Sequence, residues 1–215
     1  MLDFHTHSLL SDGELIPAEL VRRAEVAGYR VLGLSDHFDL ATLPLLMPAV
    51  VAAAEVENRN KKILVLPGAE ITHVRPEQIA EAIRLARELG ASYVIVHGET
   101  LVEPVAPGTN RAAILGGADI LAHPGLIGED DVRLAAERGT LLEISGRRGH
   151  SLANGHVARL ARRFGAKLVF GSDSHMAGDH PARSFAEKVC LGAGLDEDEV
   201  KAVFDNAERF ASART

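Results

Sequence analysis

Histidine and carboxylate residues follow short apolar runs along almost the whole length of this 215-residue chain. Nine of these polar residues could bind a metal ion: His5, His7, Asp12, His37, Glu70, His97, His123, Asp173 and His175. Imidazole nitrogens and carboxylate oxygens suit zinc, manganese and iron. Removing so many such groups from water together would be costly unless cations compensated their charges. The pattern therefore predicts one polynuclear metal centre of the kind that metal-dependent hydrolases use.

Two of the motifs separate a pair of candidate ligands by one residue, His5-Thr6-His7 and Asp173-Ser174-His175. Side chains alternate along a strand, so both members of each pair are expected on the same side. Taken singly, other candidates have simpler explanations. Asp12, which precedes Gly13, could be a turn residue, and His97 could be a buried structural histidine. The metal interpretation depends on the whole set occurring together at strand ends.

The elements that must position these residues are short strands that alternate with helices. Apolar runs of strand length are Met1–His5, Arg30–Ser35, Ile63–Gly68, Ser92–His97, Asp119–His123, Thr140–Ser145 and Lys167–Gly171. Segments of helical periodicity are Pro17–Ala27, Leu43–Asn60, Pro76–Leu89, Arg111–Gly116, Glu129–Arg138, Leu152–Phe164, Ala182–Leu191 and Asp196–Arg209. This alternation predicts a single-domain parallel α/β barrel over residues 1–215. Functional residues of such barrels follow the carboxyl ends of the strands, so the candidate ligands should meet at one mouth.

The composition limits the classes of partner. The formal net charge is −7 and aromatic residues make up 4% of the chain, which argues against nucleic acid as a partner. No apolar run is long enough to span a membrane, and the N-terminus lacks the pattern of a signal peptide. The single cysteine, Cys190, excludes an internal disulfide and is expected to be buried. These features predict a cytoplasmic protein and leave its oligomeric state open.

The ordered set of motifs resembles the PHP family, named for polymerase and histidinol phosphatase, from His5 to beyond His175. The matching motifs are His5-Thr-His7-Ser, Ser11-Asp12-Gly13, Ser35-Asp36-His37, Gly68-Ala-Glu70, His97, Ala122-His123-Pro124 and Gly171-Ser-Asp173-Ser-His175. The resemblance implies a distorted (β/α)7, TIM-like barrel that holds up to three divalent metal ions, zinc, manganese or iron. It also implies three ligand sets: His5, His7, Glu70 and Asp173 for one ion; Glu70, His97 and His123 for a second; Asp12, His37 and His175 for the third.

The chain also resembles short, stand-alone members of that family labelled histidinol-phosphatase-like. This resemblance implies hydrolysis of a small phosphorylated metabolite by a metal-bound water, with Glu70 and Asp173 as the catalytic carboxylates. The candidates for substrate binding are Arg147, Arg148, His150, His73 and Arg111. A guanidinium can hold phosphate oxygens through two hydrogen bonds, and the strand before Arg147 supplies no candidate ligand.

Three other functions remain open for the same metal centre. The first is a nuclease that acts on short oligonucleotides, which salt-dependent binding of oligonucleotides would favour. The second is hydrolysis of a non-phosphate substrate such as an amide or a lactone. No lysine follows a predicted strand, which disfavours an amidohydrolase that uses a carbamylated lysine. The third is a metal-binding structural or regulatory subunit, which turnover of any ester would exclude.

Overall fold

Parallel strands form the wall of a barrel in the computed structural model, which describes residues 1–214. The strands are β1 (Leu2–Asp3), β2 (Val31–Leu34), β3 (His37–Phe38), β4 (Leu64–Ile71), β5 (Tyr93–His97), β6 (Ile120–Ala122), β7 (Leu141–Ser145) and β8 (Leu168–Gly171). They pair in the order β1-β2-β4-β5-β6-β7-β8, and β3 lies off this path, paired with β4. The predicted alternation of strands and helices is confirmed, and the architecture is a nearly closed, TIM-like α/β barrel.

Helices surround the strands, as the sequence predicted. They are α1 (Pro17–Val26), α2 (Leu43–Asn58), α3 (Pro76–Glu88), α4 (Thr109–Gly116), α5 (Glu129–Arg138), α6 (Asn154–Phe164), α7 (Arg183–Gly192) and α8 (Glu197–Ser212). Left-handed Gly139 and Gly165 cap the C-terminal ends of α5 and α6. Cys190 is buried in α7. Among residues 1–214, no helix has the length and apolar character that a membrane span requires.

Several element boundaries differ from the sequence prediction by a few residues, and two of these differences concern the mouth of the barrel. A 3-10 turn over His150–Ala153 precedes α6, where the sequence predicted that the helix would begin at Leu152. Strand β4 continues to Ile71, because its upper half pairs with β3 and with β5. Glu70 therefore lies inside a strand rather than in the loop after it.

The barrel closes between β8 and β1 through the residues that follow these strands. The amide of Asp173 donates to the carbonyl of His5 at 2.9 Å, and the amide of His7 donates to the carbonyl of Ser174 at 2.8 Å. A parallel bridge joins Thr6 to Ser174 between these two bonds. The two alternating motifs of the sequence therefore lie side by side across the closing seam.

The interior of the barrel is apolar away from the mouth. Tyr93 and Ile95 of β5 point inward, and His97 follows on the same face at the end of the strand. The Tyr93 hydroxyl donates to the carbonyl of Phe4 at 2.6 Å. Phe210 of α8 packs edge-on against the Tyr93 ring. These side chains fill the barrel interior and pack beneath the polar residues of the mouth.

Gly68 on β4 leaves the space that the Tyr93 ring occupies. A Cβ atom at Gly68 would lie 2.2 Å from Cζ of Tyr93, whose side chain is fully buried. Gly68→Ala should therefore lower the free energy of unfolding by about 1–3 kcal/mol, the usual cost of overpacking a core. Gly192→Ala is the control, because a Cβ there would meet nothing within 4 Å. Urea denaturation measures both variants, and equal effects would contradict this packing role.

Candidate metal centre

All of the candidate ligands lie at the mouth formed by the carboxyl ends of the strands. The two alternating motifs follow β1 and β8, and Asp12 lies in the loop after β1. The side chain of Asp12 is 59% exposed and that of His37 is partly buried, whereas the other seven residues are buried. Donor atoms from all nine fall into overlapping clusters, and within each cluster the atoms lie within 4.8 Å of one another. The structure therefore brings together every ligand candidate of the sequence.

Glu70 lies at the centre of the inner clusters. Its Oε1 atom is 3.3 Å from Nε2 of His5 and 3.7 Å from Nε2 of His123. Its Oε2 atom is 2.7 Å from Nδ1 of His37 and 3.6 Å from Nε2 of His7. Two ligands that share one ion at about 2.1 Å lie roughly 3.0–3.4 Å apart, so small shifts would let each oxygen serve a different ion. This arrangement suits a bridging carboxylate.

Asp173 faces the same histidines from the seam. Its Oδ1 atom is 3.2 Å from Nε2 of His7 and 3.7 Å from Nε2 of His5. Its Oδ2 atom is 3.8 Å from Nε2 of His123. The geometry is compatible with the ligand set His5, His7, Glu70 and Asp173, and it also places Asp173 within reach of an ion beside His123.

Asp12 contributes to an outer cluster with two histidines. Its Oδ1 atom is 3.2 Å from Nε2 of His175 and 3.5 Å from Nε2 of His37. The loop before Asp12 is held by the buried carboxylate of Asp36, which accepts a hydrogen bond from the Ser8 amide at 2.8 Å. A turn role alone does not explain Asp12, because its carboxylate is directed at imidazole nitrogens.

Several buried polar atoms at the mouth make no hydrogen bond of suitable geometry within residues 1–214, although Oε2 of Glu70 lies 2.7 Å from Nδ1 of His37. They are Nε2 of His5, both ring nitrogens of His7, both carboxylate oxygens of Glu70 and Nδ1 of His123. Buried polar atoms without such partners are costly in a protein interior. Divalent cations would satisfy nitrogens and carboxylate oxygens in this arrangement, so the residues fit a metal centre.

Burial keeps two of the histidines neutral. Desolvation lowers the pKa of His7 to about 3, although Asp173 and Glu70 oppose this shift. Desolvation and the neighbouring His97 lower the pKa of His123 well below its usual range. A neutral imidazole offers a lone pair, so both side chains are in the form that binds a cation at neutral pH.

The carboxylates stay ionised in spite of their burial. Burial raises the pKa of Glu70, but His5 and His37 outweigh this effect and hold it well below the usual value. Asp173 behaves in the same way, again mainly through His5. Burial lowers the pKa of His5, but Glu143 and Glu70 outweigh it and raise that pKa. Without a metal, a second proton on His5 would partly offset these carboxylates, and a bound divalent cation would supply positive charge in its place.

The backbone at the mouth adopts conformations that L-residues rarely occupy. Among residues 1–214, positive φ angles occur at four non-glycine residues, and three of them are His73 (53°), His123 (25°) and Asp173 (55°). Such conformations cost on the order of 1–3 kcal/mol each and persist where the surrounding structure imposes them. The fold therefore imposes the directions of two ligand side chains, His123 and Asp173.

Sequence reasoning missed Glu143, which holds a candidate ligand in place. Glu143 lies on β7, the strand that supplies no ligand, and its Oε2 atom is 2.6 Å from Nδ1 of His5. The Nδ1–H of His5 donates to this carboxylate, which leaves Nε2 free to face Glu70. A carboxylate behind a metal-binding histidine fixes its tautomer and raises its basicity. The available signal was a charged residue within the apolar run Leu141-Leu-Glu143-Ile.

Sequence reasoning also missed Glu103, in the loop between β5 and α4. Its Oε2 atom is 3.1 Å from Nε2 of His97 and 3.2 Å from Nε2 of His73. Its Oε1 atom is 3.4 Å from Nε2 of His150. No strand pattern precedes this residue, so the sequence carried no signal for it.

Arg147 lines the cavity of about 440 Å³ at the mouth. Its Nη1 atom donates to the carbonyl of Asp173 at 2.9 Å and lies 2.6 Å from Nδ1 of His175. Arg148 is exposed beside a neighbouring groove of about 980 Å³. Arg111 does not line this cavity or the groove: it extends from α4 and pairs with Asp131 at 2.8 Å. The structure therefore does not bring Arg111 to the mouth, contrary to the sequence prediction.

The two histidines proposed for substrate binding line the cavity of about 440 Å³. His150 is buried and stacks on His123, with 4.1 Å between the ring centroids. Its Nδ1 atom is 2.7 Å from the hydroxyl of Thr100. His73 is more exposed and lies 3.2 Å from Glu103. Both are placed to contact a molecule in the cavity.

Solved structures share this fold at low sequence identity. The histidinol phosphate phosphatase of Lactococcus lactis, complexed with zinc, L-histidinol and phosphate, has a TM-score of 0.62 and 18% identity over 91% of this chain and 94% of that one. A. niger ochratoxinase has a TM-score of 0.66 and 14% identity over 98% of this chain and 70% of that one. The third is a two-domain protein of Bacteroides vulgatus that contains a predicted PHP-like metal-dependent phosphoesterase. It has a TM-score of 0.52 and 16% identity over 82% of this chain and 52% of that one. The barrel is therefore one that PHP-like proteins also adopt.

The sequence comparisons show the family. The chain is 45% identical over 201 residues to Uncharacterized protein MJ1295 of Methanocaldococcus jannaschii. The aligned stretch covers 93% of this chain and 92% of that protein. The chain belongs to the family of that protein. A stretch of 54 residues, 25% of this chain and 19% of the relative, is 48% identical to a 5'-3' exoribonuclease of Haemophilus influenzae. No family model matches the chain.

Replacing Glu70 with glutamine should weaken two ion positions at once. The amide offers one oxygen in place of two and carries no charge. We expect the metal content of the reconstituted variant to fall by more than one ion per chain. Elemental mass spectrometry measures this content. Glu137→Gln, an exposed position on α5, is the control. Loss of a single ion in Glu70→Gln would show that this carboxylate does not bridge.

Replacing Glu143 with glutamine should weaken metal binding without removing a ligand. The amide can still accept from Nδ1 of His5, but the negative charge that makes this imidazole more basic is lost. Outer partners of this kind change metal affinity by about 10–100-fold. Competition with a chromophoric chelator measures the affinity. An unchanged affinity would limit Glu143 to a packing role.

Proposed function

We propose that the protein is a metal-dependent phosphoesterase of the PHP superfamily that hydrolyses a small phosphorylated metabolite. The centre would hold up to three divalent ions, zinc, manganese or iron, through the nine candidate ligands. One observation carries the proposal: buried nitrogen and carboxylate atoms without hydrogen bonds converge at the mouth of the barrel. The fold similarity to a histidinol phosphate phosphatase that binds zinc and phosphate supports it.

The cavity at the mouth suits a small substrate. Its volume of about 440 Å³ lies at the lower end of the range for ligand pockets. Its lining is rich in histidine and carboxylate side chains, and Arg147 adds a permanent positive charge. A phosphate group would be recognised here by charge, and there is little apolar wall for a large hydrophobic substrate.

The chain's own residues would hold the cations and orient the substrate. Bound cations would neutralise phosphate oxygens and lower the pKa of the attacking water. Glu70 and Asp173 would hold those cations in position. If the Thr100 hydroxyl donates to Nδ1 of His150, the proton of this ring is on Nε2, which faces the cavity. His150 is then placed to donate a hydrogen bond to the leaving-group oxygen.

Arg147 is the residue that we assign to the substrate phosphate. Its guanidinium now donates to Nδ1 of His175, which leaves the imidazole proton on Nε2. When His175 offers Nε2 as a ligand, its proton must be on Nδ1, where it donates to the carbonyl of Asp173 at 2.9 Å. Arg147 then loses one of its two acceptors, keeps the carbonyl of Asp173, and can direct the rest of its guanidinium toward the cavity. A guanidinium in that position matches two oxygens of a phosphate.

The direct test is release of inorganic phosphate from a panel of phosphorylated metabolites by metal-reconstituted protein. We expect turnover that disappears when a chelator removes the metal and that is strongly reduced in Glu70→Gln. Ochratoxinase shares the fold, so amides and lactones belong in the same panel. Turnover of those substrates without any phosphate release would replace this proposal by a non-phosphate metallohydrolase. A metal-loaded protein without turnover of any ester would point to a structural or regulatory subunit.

A nuclease is the second candidate, because one observation favours it specifically. The 48% identity to a 5'-3' exoribonuclease over 54 residues concerns a quarter of this chain. The groove beside Arg148 continues from the mouth and shares Arg147 and Asp173 with it. Short 5'-phosphorylated oligonucleotides test this candidate. Faster turnover of these than of any metabolite, with binding that weakens as salt rises, would favour the nuclease.

Replacing Arg147 with alanine should lower kcat/KM on the best phosphoester by about ten- to a hundredfold. A loss of this size is typical when a guanidinium that makes two charge-assisted hydrogen bonds to one group is removed. Arg147→Lys should restore only part of the loss, because an ammonium cannot form the planar fork. Arg111→Ala is the matched control, since its guanidinium pairs with Asp131 away from the cavity. Steady-state kinetics at equal metal content measure the effect. A loss of metal in Arg147→Ala would instead assign this residue to the centre.

A further inference from the structure

The groove of about 980 Å³ beside the mouth adjoins the candidate metal centre directly. It shares Asp12, Arg147, Asp173 and His175 with the cavity of about 440 Å³. A phosphate group held at the centre would therefore lie where the cavity and the groove meet. The organic part of the substrate, which becomes the leaving group, has to extend into one of these two spaces.

The two spaces differ in the chemistry of their walls. Every side chain that lines the cavity is polar or ionisable. The groove adds an apolar wall, formed by Met176, Pro181, Ala182 and Phe185. Met176 and Phe185 are 49% and 50% exposed. A ligand that covers these side chains removes apolar surface from water, which is favourable, so an apolar leaving group fits the groove better than the cavity.

The loop between β8 and α7, which forms this wall, is held by hydrogen bonds. The carboxylate of Asp179 accepts from the amides of His175 and Met176 at 3.1 and 3.0 Å. The carbonyl of Pro181 accepts from the hydroxyl of Tyr29 at 2.9 Å. A surface that is already ordered loses little conformational entropy when a ligand binds to it. The wall is therefore prepared for contact with a ligand.

Arg148 supplies a free donor at the same groove. Its side chain is exposed and makes no hydrogen bond or ion pair within residues 1–214. Apart from the candidate ligands, the groove has the carboxylates of Glu14 and Asp179, and Asp179 is already bonded to backbone amides. A guanidinium without an acidic partner can donate to an acceptor on a ligand. The groove thus combines an apolar wall with an unpaired positive charge.

We propose that the groove binds the leaving group of the substrate, with a ring against Phe185 and Met176 and an acceptor group at Arg148. This inference rests on the proposed function, because it assumes that the phosphate is held at the metal centre. It narrows the substrate class to phosphoesters of an alcohol that carries a flat apolar ring and a carboxylate or similar anionic group. Arg147 serves the phosphate, and Arg148 serves the leaving group.

Three phosphonates test this assignment without turnover: ethylphosphonate, 2-phenylethylphosphonate and 2-(4-carboxyphenyl)ethylphosphonate. They share a head group that cannot be hydrolysed and differ only in atoms remote from it. Isothermal titration calorimetry with the metal-reconstituted full chain measures each Kd. The phenyl compound should bind about three- to tenfold more tightly than the ethyl compound. The carboxylate should add about two- to fivefold. Removal of the metal by a chelator should abolish binding of all three, because the head group is held at the centre.

Two variants with matched controls identify the surface that binds the ring and the carboxylate. Phe185→Ala should remove most of the ratio between the phenyl and ethyl compounds. Leu191→Ala should keep this ratio, because Leu191 is exposed on the same helix but does not line the groove. Arg148→Gln should remove the gain from the carboxylate. Arg138→Gln, an exposed position on α5 away from the groove, should keep that gain.

Equal affinity of wild type for the ethyl and phenyl compounds would overturn the leaving-group site. A ratio that survives Phe185→Ala would also overturn it, because the ring would then lie elsewhere. A carboxylate gain that survives Arg148→Gln would overturn the assignment of Arg148. No binding of any phosphonate to the metal-loaded protein would overturn the site as a whole. The full binding pattern in a protein that releases phosphate from no ester would support the groove and contradict only the phosphoesterase proposal.

Discussion

The hydrogen bonds that close the barrel between β8 and β1 position the whole mouth. They join the first and last motifs of the chain, because the amide of Asp173 donates to His5 and that of His7 donates to Ser174. Asp173 adopts a φ of 55° in making this contact. The seam thereby fixes the backbone from which the Asp173 carboxylate reaches the imidazoles of His5 and His7. Closure of the barrel and assembly of the site are consequently the same structural event, and ligands far apart in sequence become neighbours.

The second constraint is electrostatic. Glu70, Asp173 and Glu143 are buried together, and ionised carboxylates in an interior require positive partners. The nearby histidines can supply that charge only while protonated; the carboxylates raise the pKa of His5, but burial keeps His7 and His123 neutral. A divalent cation resolves the conflict, because it neutralises the carboxylates and needs neutral imidazoles. Charge balance at the mouth thus favours metal even before any reaction is considered.

Local patterns made much of this architecture predictable from the sequence. Apolar runs of strand length and helical periodicity located the strands and helices, and the place of polar residues after those runs located the ligand candidates. The missed contacts depend on tertiary structure. Glu143 and His5 are 138 residues apart and meet only when β7 and β1 curve into one barrel. Strand β3 is two residues long and leaves no periodic signal. For Arg111, the sequence showed the charge but not its partner Asp131 on a neighbouring helix.

The apolar half of the barrel also determines the chemistry of the polar half. On β5, Tyr93, Ile95 and His97 share the inward face, while Val94 and Val96 pack outward against the helices. A shift of one residue in the register of β5 would turn His97 away from the mouth and Val96 into it. The buried Tyr93 ring opposes such a shift, because it fits into the space left by Gly33 and Gly68 and its hydroxyl is bonded to Phe4. Core packing therefore specifies the register, and the register specifies which side chains can reach a cation.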